Sequence, residues 1–296
     1  MATPLEQAPG SLAPGRRLLL KREDAHELGA FKWRGALPSL QRYRDEGATA
    51  VVTASTGNHG AAAAWAAERT GLKAIVYVPE VASRAKLDML ERLGADLRQA
   101  GADVDEAKDA ARAHAERDGL PFFEDGAEPA QFDGYADIGR ELIDELGERP
   151  ALTVVPVGNG ALLIGIARGL GGGDATLGVV SEAAPVMALS VDAGHPVECG
   201  PPATFADGMA VRVAVPLAVD ELVKLRTPFV QVSEEAIARA VGSYAGAGVR
   251  VEGSAGAALA ALDAIEPPDG PIVLIVTGRN IDDELHRRAV EQPASF

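Results

Sequence analysis

The sequence predicts an α/β protein with two open, mostly parallel twisted sheets and helices on both faces of each sheet. Short apolar or β-branched segments alternate with longer alanine-rich segments along most of the 296 residues. The short segments end at Gly, Pro or polar residues, as buried parallel strands do. An apolar content of 47% and a charged content of 24% are those of a globular chain large enough for two domains.

The predicted elements follow one another in a regular order. Strands are predicted at 18–20, 49–53, 73–78, 96–99, 152–157, 176–181 and 272–276. Helices are predicted at 35–47, 61–69, 84–93, 104–117 and 135–146, and the glycine cluster 169–173 predicts a surface turn. Strands joined through helices of this length pair in parallel.

Composition excludes several classes of protein. The single cysteine, Cys199, rules out an intrachain disulfide framework and fits a reducing compartment. A net charge of −15 argues against nucleic acid and anionic membranes as partners. The apolar runs are too short to cross a bilayer, and the first residues lack the pattern of a secretory signal. We therefore expect a cytoplasmic protein with no nucleic-acid or membrane partner.

The first chemical motif is a lysine between two aromatic residues. Lys32 lies in Phe31-Lys32-Trp33-Arg34-Gly35, between a predicted strand and a predicted helix. Aromatic neighbours shield an amine from water, which favours its neutral, nucleophilic form. A neutral amine attacks carbonyl carbons and forms a Schiff base. An arbitrary lysine at a helix start is usually a surface residue, so the other motifs decide.

Two glycine turns follow predicted strands and open predicted helices. The first is TASTGNHG at 53–60, where Ser55 and Thr56 add hydroxyl donors; the second is VVPVGNGAL at 154–162. Such turns bind anions, because first-turn N–H groups have no partner within the helix and the helix dipole is positive there. The second is neither a P-loop nor a dinucleotide fingerprint. The Ser-Thr-Gly-Asn run of the first turn, taken alone, is more typical of an ordinary helix N-cap.

Three further segments carry motifs in the second half of the chain. IVLIVTGRN at 272–280 is an apolar strand that ends in a hydroxyl, Thr277, followed by Gly278. Ligands of open α/β sheets lie beyond the carboxyl ends of strands. ADGMAV at 206–211 and VEGSAGA at 251–257 are the other two. Glu252 in the last segment is also typical of an acidic residue that stabilises a helix N-terminus.

Together these segments resemble fold-type II pyridoxal-phosphate (PLP) enzymes, the group of threonine/serine dehydratases and serine racemase with a tryptophan synthase β-like fold. The resemblance runs from Lys21 to Asn280 in the same order. It implies PLP as the cofactor and a homodimer. It also implies a small inserted α/β domain, 43–128, within a large PLP-binding domain formed by 1–42 and 129–296.

The resemblance also implies a role for each motif. Lys32 would carry PLP and transfer protons, and a hydroxyl at Thr277 would meet the pyridine nitrogen and leave it largely unprotonated. The other implied cofactor contacts are Phe31, Asn58 at the ring hydroxyl oxygen, Glu252 and Gly278, with the phosphate on Gly158, Asn159, Gly160, Ala161 and Leu162. The implied substrate contacts are Ser55, Thr56, Gly57, Asn58, His59 and Tyr135. Asn159 and Ala161 stand where the family usually has glycine.

Other departures leave the substrate open. GYADI at 134–138 stands where the family commonly has GQGTI, and Val186 and Ala188 after Glu182 replace possible carboxylate ligands, so we predict no metal. We expect a PLP-dependent ammonia-lyase (dehydratase) that converts a small β-hydroxy amino acid to a 2-oxo acid and ammonia. The alternatives are a serine-type racemase, with Thr56 as a second catalytic base, and a threonine synthase-like replacement enzyme. The intact lysine motif disfavours a non-catalytic binding protein, and no HExxH or GxSxG motif indicates a metalloprotease or serine hydrolase.

Overall fold

The computed structural model of the protein describes residues 1–12, 15, 17–266 and 268–296. The chain forms two compact units. The large unit comprises Met1–Phe31 and Tyr135–Phe296, and the small unit comprises Lys32–Gly134. The predicted small domain, 43–128, lies within the small unit, which also includes the lysine segment.

Nine strands and eleven α-helices lie within the described residues. The strands are β1 Leu5–Gln7, β2 Leu18–Arg22, β3 Ala50–Ala54, β4 Lys73–Val78, β5 Asp96–Gln99, β6 Leu152–Pro156, β7 Thr176–Ser181, β8 Phe229–Val232 and β9 Ile272–Val276. The helices are α1 Trp33–Asp45, α2 Asn58–Thr70, α3 Arg84–Arg92, α4 Val104–Asp118, α5 Pro129–Leu146, α6 Ala161–Leu170, α7 Val186–Ala193, α8 Pro216–Leu225, α9 Glu234–Gly246, α10 Gly253–Ala260 and α11 Asp283–Glu291.

The large unit is built on a six-stranded sheet with the order β1-β2-β9-β6-β7-β8. Only the β1–β2 pair is antiparallel among these strand pairs. In the centre, Ile272 of β9 pairs with Leu18 on one side and with Leu152 on the other. All five residues of β9 are buried, as expected for a central parallel strand covered on both faces.

The small unit is built on a three-stranded parallel sheet with the order β3-β4-β5. The segment 121–123 runs beside β3: Val52 N donates to Pro121 O at 3.0 Å, and Phe123 N donates to Val52 O at 2.8 Å. This pairing determines where the next residues, 124 and 125, emerge from the sheet. The alanine-rich helix α2 is buried along most of its length, because small side chains allow a close approach to its neighbours.

The predicted fold class is confirmed, and β4, β5, β7 and β9 have the predicted bounds. The surface turn predicted at 169–173 is partly wrong, since α6 continues through Gly169 and Leu170 and ends at Gly171, which has a φ of +83°. Gly169 is needed inside the helix because a Cβ there would lie 2.1 Å from Ala136 O. Helix α5 begins earlier than predicted, at Pro129, and proline is favoured in the first turn of a helix. Among the described helices, none is long and apolar enough to cross a membrane.

Candidate active site

The amine of Lys32 is held close to a carboxylate of the small unit. Lys32 is the N-cap of α1 and already has helical backbone angles, so its side chain leaves from the first turn of the helix. Its side chain is only 15% exposed, and its Nζ lies 2.5 Å from Asp125 Oδ2. Trp33 next to it is buried edge-on against Trp65, with ring centroids 6.1 Å apart. The Lys32 side chain is therefore largely buried beside a carboxylate, and shielding of its amine by the aromatic neighbours stays a prediction.

Asp125 also faces His59. The Nδ1 of His59 lies 3.7 Å from Asp125 Oδ1, and its Nε2 lies 3.1 Å from Thr53 Oγ1 and 3.2 Å from Phe123 O. The imidazole stacks on the Phe123 ring at 4.6 Å between centroids. Burial lowers the pKa of His59 and outweighs the opposing effect of the Asp125 charge. Burial thus favours the neutral imidazole, and its contacts with Thr53, Phe123 and Asp125 support a structural contribution to the loop.

The sequence-based reasoning missed Asp125. A network holds the turn that carries it: Gly126 N donates to Gln131 Oε1 at 2.7 Å, and Gln131 Nε2 donates to Glu124 O at 3.2 Å. Gln131 is wholly buried. The only sequence signal is a carboxylate pair, Glu124 and Asp125, directly after two phenylalanines. That signal does not show that the segment lies beside β3.

The loop before α2 brings Ser55, Thr56, Gly57, Asn58 and His59 together. Gly57 is the extended N-cap of α2, and its N–H donates to Ser55 Oγ at 3.1 Å. The loop is tight because Gly60 lies over it: a Cβ at Gly60 would be 2.4 Å from Ser55 O. The first-turn amides and the positive end of the helix dipole therefore coincide with half-buried hydroxyl groups. Such a loop can bind a carboxylate.

In the large unit, the glycine turn between β6 and α6 has the features of a phosphate site. Gly160 is the N-cap of α6 with a φ of +86°, and its carbonyl accepts the helical hydrogen bond from Ile164 N at 3.0 Å. A Cβ at Gly158 would lie 2.3 Å from Gly208 O, so the loop backbone touches the 206–211 segment. Among the described residues, Arg226 is the one non-glycine with a positive φ. Asn159 and Ala161 therefore leave the backbone of this loop unstrained.

The end of β9 places Thr277 against Glu252. Thr277 Oγ1 donates to Glu252 Oε1 at 2.8 Å, and the side chains are almost fully buried, with Thr277 2% and Glu252 7% exposed. Phe31 N donates to Thr277 O at 3.1 Å and Glu252 N donates to Gly278 O at 3.0 Å. A Cβ at Gly208 would lie 2.7 Å from Ser254 Oγ. The segments predicted around the cofactor in the large unit are thus neighbours in space.

Tyr135 and Glu182 are the remaining predicted positions. Tyr135 is 1% exposed and packs edge-on against Phe31, with ring centroids 5.2 Å apart. Its contact with substrate stays a prediction. Glu182 is exposed beyond β7. In the part of the chain that the structure describes, no group of three or more His, Cys, Asp or Glu residues is placed to hold a metal ion.

Two curated relatives resemble this chain along nearly its whole length. Threonine dehydratase 2 (biosynthetic, chloroplastic) of Solanum lycopersicum is 30% identical over 283 residues, which are 92% of this chain and 47% of that protein. The chain therefore spans about half the length of this relative. An L-threonine ammonia-lyase of Thermotoga maritima is 30% identical over 284 residues, 94% of this chain and 71% of that protein.

Solved structures also resemble this chain along nearly its whole length. The processed form of threonine deaminase isoform 2 from Solanum lycopersicum has a TM-score of 0.91 at 29% identity, covering 100% of this chain and 89% of that one. Maize serine racemase has a TM-score of 0.87 at 25% identity, and the match covers 99% of this chain and 92% of that one. The family model described as pyridoxal-phosphate dependent enzyme matches residues 1–278. The chain therefore belongs to the family of pyridoxal-phosphate dependent enzymes.

Proposed function

We propose that the protein is an ammonia-lyase that converts a small β-hydroxy amino acid, threonine- or serine-like, to a 2-oxo acid and ammonia. The observation that carries this proposal is the shielded Lys32 amine, held beside Asp125 in the unit that also contains the Ser55–His59 loop. Two relatives support the same reaction: one is named a threonine dehydratase, and the other is named an L-threonine ammonia-lyase.

The residues present fit PLP. The Lys32 amine at the start of α1 would react with the aldehyde of the cofactor, and the Gly158–Leu162 turn opens α6, whose first-turn amides can bind a phosphate. The buried Thr277 hydroxyl would be a partner for the ring nitrogen, and Asn58 would be a partner for the ring hydroxyl oxygen. Phe31 would pack beside the lysine attachment.

Lys32 and the cofactor would share the chemistry at the substrate Cα. Bound PLP supplies an electron sink for the negative charge that develops at the substrate Cα. Lys32 would hold the cofactor through its amine, and Lys32 Nζ would take the Cα proton of the substrate. Loss of the β-hydroxyl as water leaves an enamine, which tautomerises and is hydrolysed to the 2-oxo acid and ammonia.

The substrate carboxylate would bind the loop before α2. The amides at the start of α2, with the hydroxyls of Ser55 and Thr56, supply donors, and the helix dipole attracts the negative charge. His59 is neutral and stacked on Phe123, so it shapes the loop rather than carrying a proton. Fixing the carboxylate in this way would orient the Cα–H bond toward Lys32 Nζ.

A panel of substrates tests the reaction. The PLP-loaded protein is incubated with the D- and L-enantiomers of serine and threonine, and 2-oxo acid, ammonia and enantiomer content are measured. We expect equal amounts of 2-oxo acid and ammonia from one enantiomer, and none from the Lys32→Ala variant. Interconversion of enantiomers without 2-oxo acid would support the second candidate, a racemase, which the structural likeness to maize serine racemase favours. A product that retains the amino group and carries a new β- or γ-substituent would indicate a replacement enzyme.

The remaining expectations concern partners and location. We propose a small amino acid as the substrate, a homodimer as the assembly and the cytoplasm as the location, with no nucleic-acid or membrane partner. The net charge of −15 supports the last point, because it repels polyanions. Light scattering of the purified protein tests the homodimer: a mass near twice 30.6 kDa is expected, and a mass near 30.6 kDa contradicts it.

A further inference from the structure

The carboxylate of Asp125 binds an ammonium group beside the loop that precedes α2. Lys32 Nζ lies 2.5 Å from Asp125 Oδ2, which is a charge-assisted contact. The other oxygen of this carboxylate, Oδ1, lies 3.7 Å from Nδ1 of His59, a residue in the first turn of α2. Amides that can bind a carboxylate and a carboxylate that binds an ammonium are therefore neighbours within the small unit.

Ion pairs with α4 hold the segment that carries Asp125. Glu124 Oε1 lies 2.5 Å from Lys108 Nζ and 2.8 Å from Arg112 Nη2. On the other side of Asp125, the N–H of Gly126 donates into the buried network described above. The Asp125 side chain is 20% exposed. Its carboxylate thus has a defined position and is still reached by a small molecule.

An amino acid carries the two charges that these groups complement. Its carboxylate and its ammonium are attached to the same carbon, so both charges are satisfied only where an anion site and a cation partner are close together. The donors of the loop before α2 suit the carboxylate, and Asp125 suits the ammonium. A ligand with a carboxylate and no ammonium would instead be repelled by the charge of Asp125.

We propose that Asp125 recognises the α-ammonium group of the incoming amino acid, and that Lys32 Nζ takes the place of that group when no substrate is bound. This inference rests on the proposed function, in which the Lys32 amine is bonded to the cofactor when the substrate arrives. Asp125 is then a specificity-determining residue that favours amino acids over hydroxy acids. It also favours release of the 2-oxo acid product, which has lost its ammonium group.

Two probes of the same shape test this recognition. N,N-dimethylglycine has a carboxylate and a tertiary ammonium with a single N–H, and it cannot form a Schiff base. Isovalerate has the same shape, with C–H in place of the charged N–H. Each probe is titrated by calorimetry into the full-length, PLP-loaded protein. We expect the wild type to bind N,N-dimethylglycine more tightly than isovalerate by roughly ten-fold or more, as for a charge-assisted hydrogen bond.

Variants of Asp125 should change the two affinities in opposite directions. Asp125→Asn should weaken binding of N,N-dimethylglycine and strengthen binding of isovalerate, because the charge that attracts the first probe and repels the second is removed. Asp125→Glu keeps the charge and should retain part of the preference. Asp88→Asn, in an exposed pair with Arg84 of the same unit, is the control and should leave both affinities unchanged.

The outcomes separate the inference from the proposed function. Equal affinity of the wild type for the two probes, or binding of neither probe to protein that converts serine or threonine, overturns the inference and leaves the function standing. This result does not depend on whether the variants fold. Equal weakening of both probes in Asp125→Asn, with the fold checked by circular dichroism, also overturns the inference, because a merely structural contribution of Asp125 gives that pattern. Failure to bind PLP, or to convert any amino acid of the substrate panel, overturns the proposed function and the inference with it.

Discussion

The hydroxyl of Thr56 belongs to the loop before α2, where it can serve the substrate carboxylate or act as a base. We expect the carboxylate role. A lost hydrogen bond to a charged group costs about 1.5–3 kcal/mol, so Thr56→Ala should raise KM by roughly ten-fold or more for every substrate. Steady-state kinetics with both enantiomers check this. Selective loss of enantiomer interconversion with an unaltered KM would instead identify Thr56 as a second-face base and the protein as a racemase.

Asp125 has to release Lys32 before the amine can react with a carbonyl. In Asp125→Asn, the ion pair at 2.5 Å is lost. We expect faster incorporation of PLP, followed by absorbance, and a cofactor-free protein that is less stable by about 1–3 kcal/mol, because the lysine charge is left in a largely buried place. Asp88→Asn, in an exposed pair with Arg84, is the control and should change neither quantity measurably. Unchanged PLP incorporation in Asp125→Asn would show that the ion pair does not limit the lysine.

His59 should make stability depend on pH. Its folded-state pKa is lowered by burial, so the unfolded chain binds a proton more readily than the folded one. The resulting stability is present above the unfolded pKa of about 6.5 and declines as pH falls below it, by up to about 1.4 kcal/mol at one unit lower. Urea unfolding at pH 7.5 and 5.5 should show a smaller loss for His59→Gln than for the wild type. Equal losses would mean that folding does not lower the pKa of His59.

Seven of the nine strands in the described residues were predicted, and β1 and β8 were missed; the contacts between loops were not predictable. Four strands have the predicted bounds because apolar runs such as 272–276 have clear ends at Pro and Thr. Gly169 was misjudged and Asp125 was missed because distant segments determine their positions: Ala136 lies against Gly169, and Val52 of β3 pairs with the residues just before Asp125. The residue pattern showed which groups could bind an anion. It did not show the ion pair at Lys32 or the direction of the Thr277 hydrogen bond.

The turn before α6 should tolerate no side chain at Gly158. A Cβ there would lie 2.3 Å from the carbonyl oxygen of Gly208. Because this oxygen belongs to the backbone, it cannot shift without a loss of stability. Gly158→Ala should destabilise the protein by about 1–3 kcal/mol and weaken PLP binding. Gly246→Ala is the matched control, since a Cβ at this end of α9 meets nothing within 4 Å. Thermal unfolding and PLP titration measure both effects, and equal behaviour of the two variants would contradict the close approach.

Across the whole chain, the predicted binding residues are divided between the units. Lys32 and the Ser55–His59 loop belong to the small unit, while Gly158–Leu162, Glu252 and Thr277 belong to the large one. Two lysines near the start of the chain, Lys21 and Lys32, have different surroundings. Lys21 is fully buried, with Nζ 2.8 Å from Glu141 and 2.7 Å from Glu145, and it also donates to Thr3 O. Lys21 is therefore structural, and Lys32 is the lysine expected to react.

The central claim is that Lys32 carries the cofactor, and chemical trapping tests it most directly. The PLP-loaded protein is reduced with borohydride, digested and mapped by mass spectrometry. The pyridoxyl mass should be found on Lys32, with Lys21 unmodified as an internal control, and it should be absent from Lys32→Ala. A pyridoxyl group on any other lysine of the wild type, or none after incubation with PLP, would contradict the account.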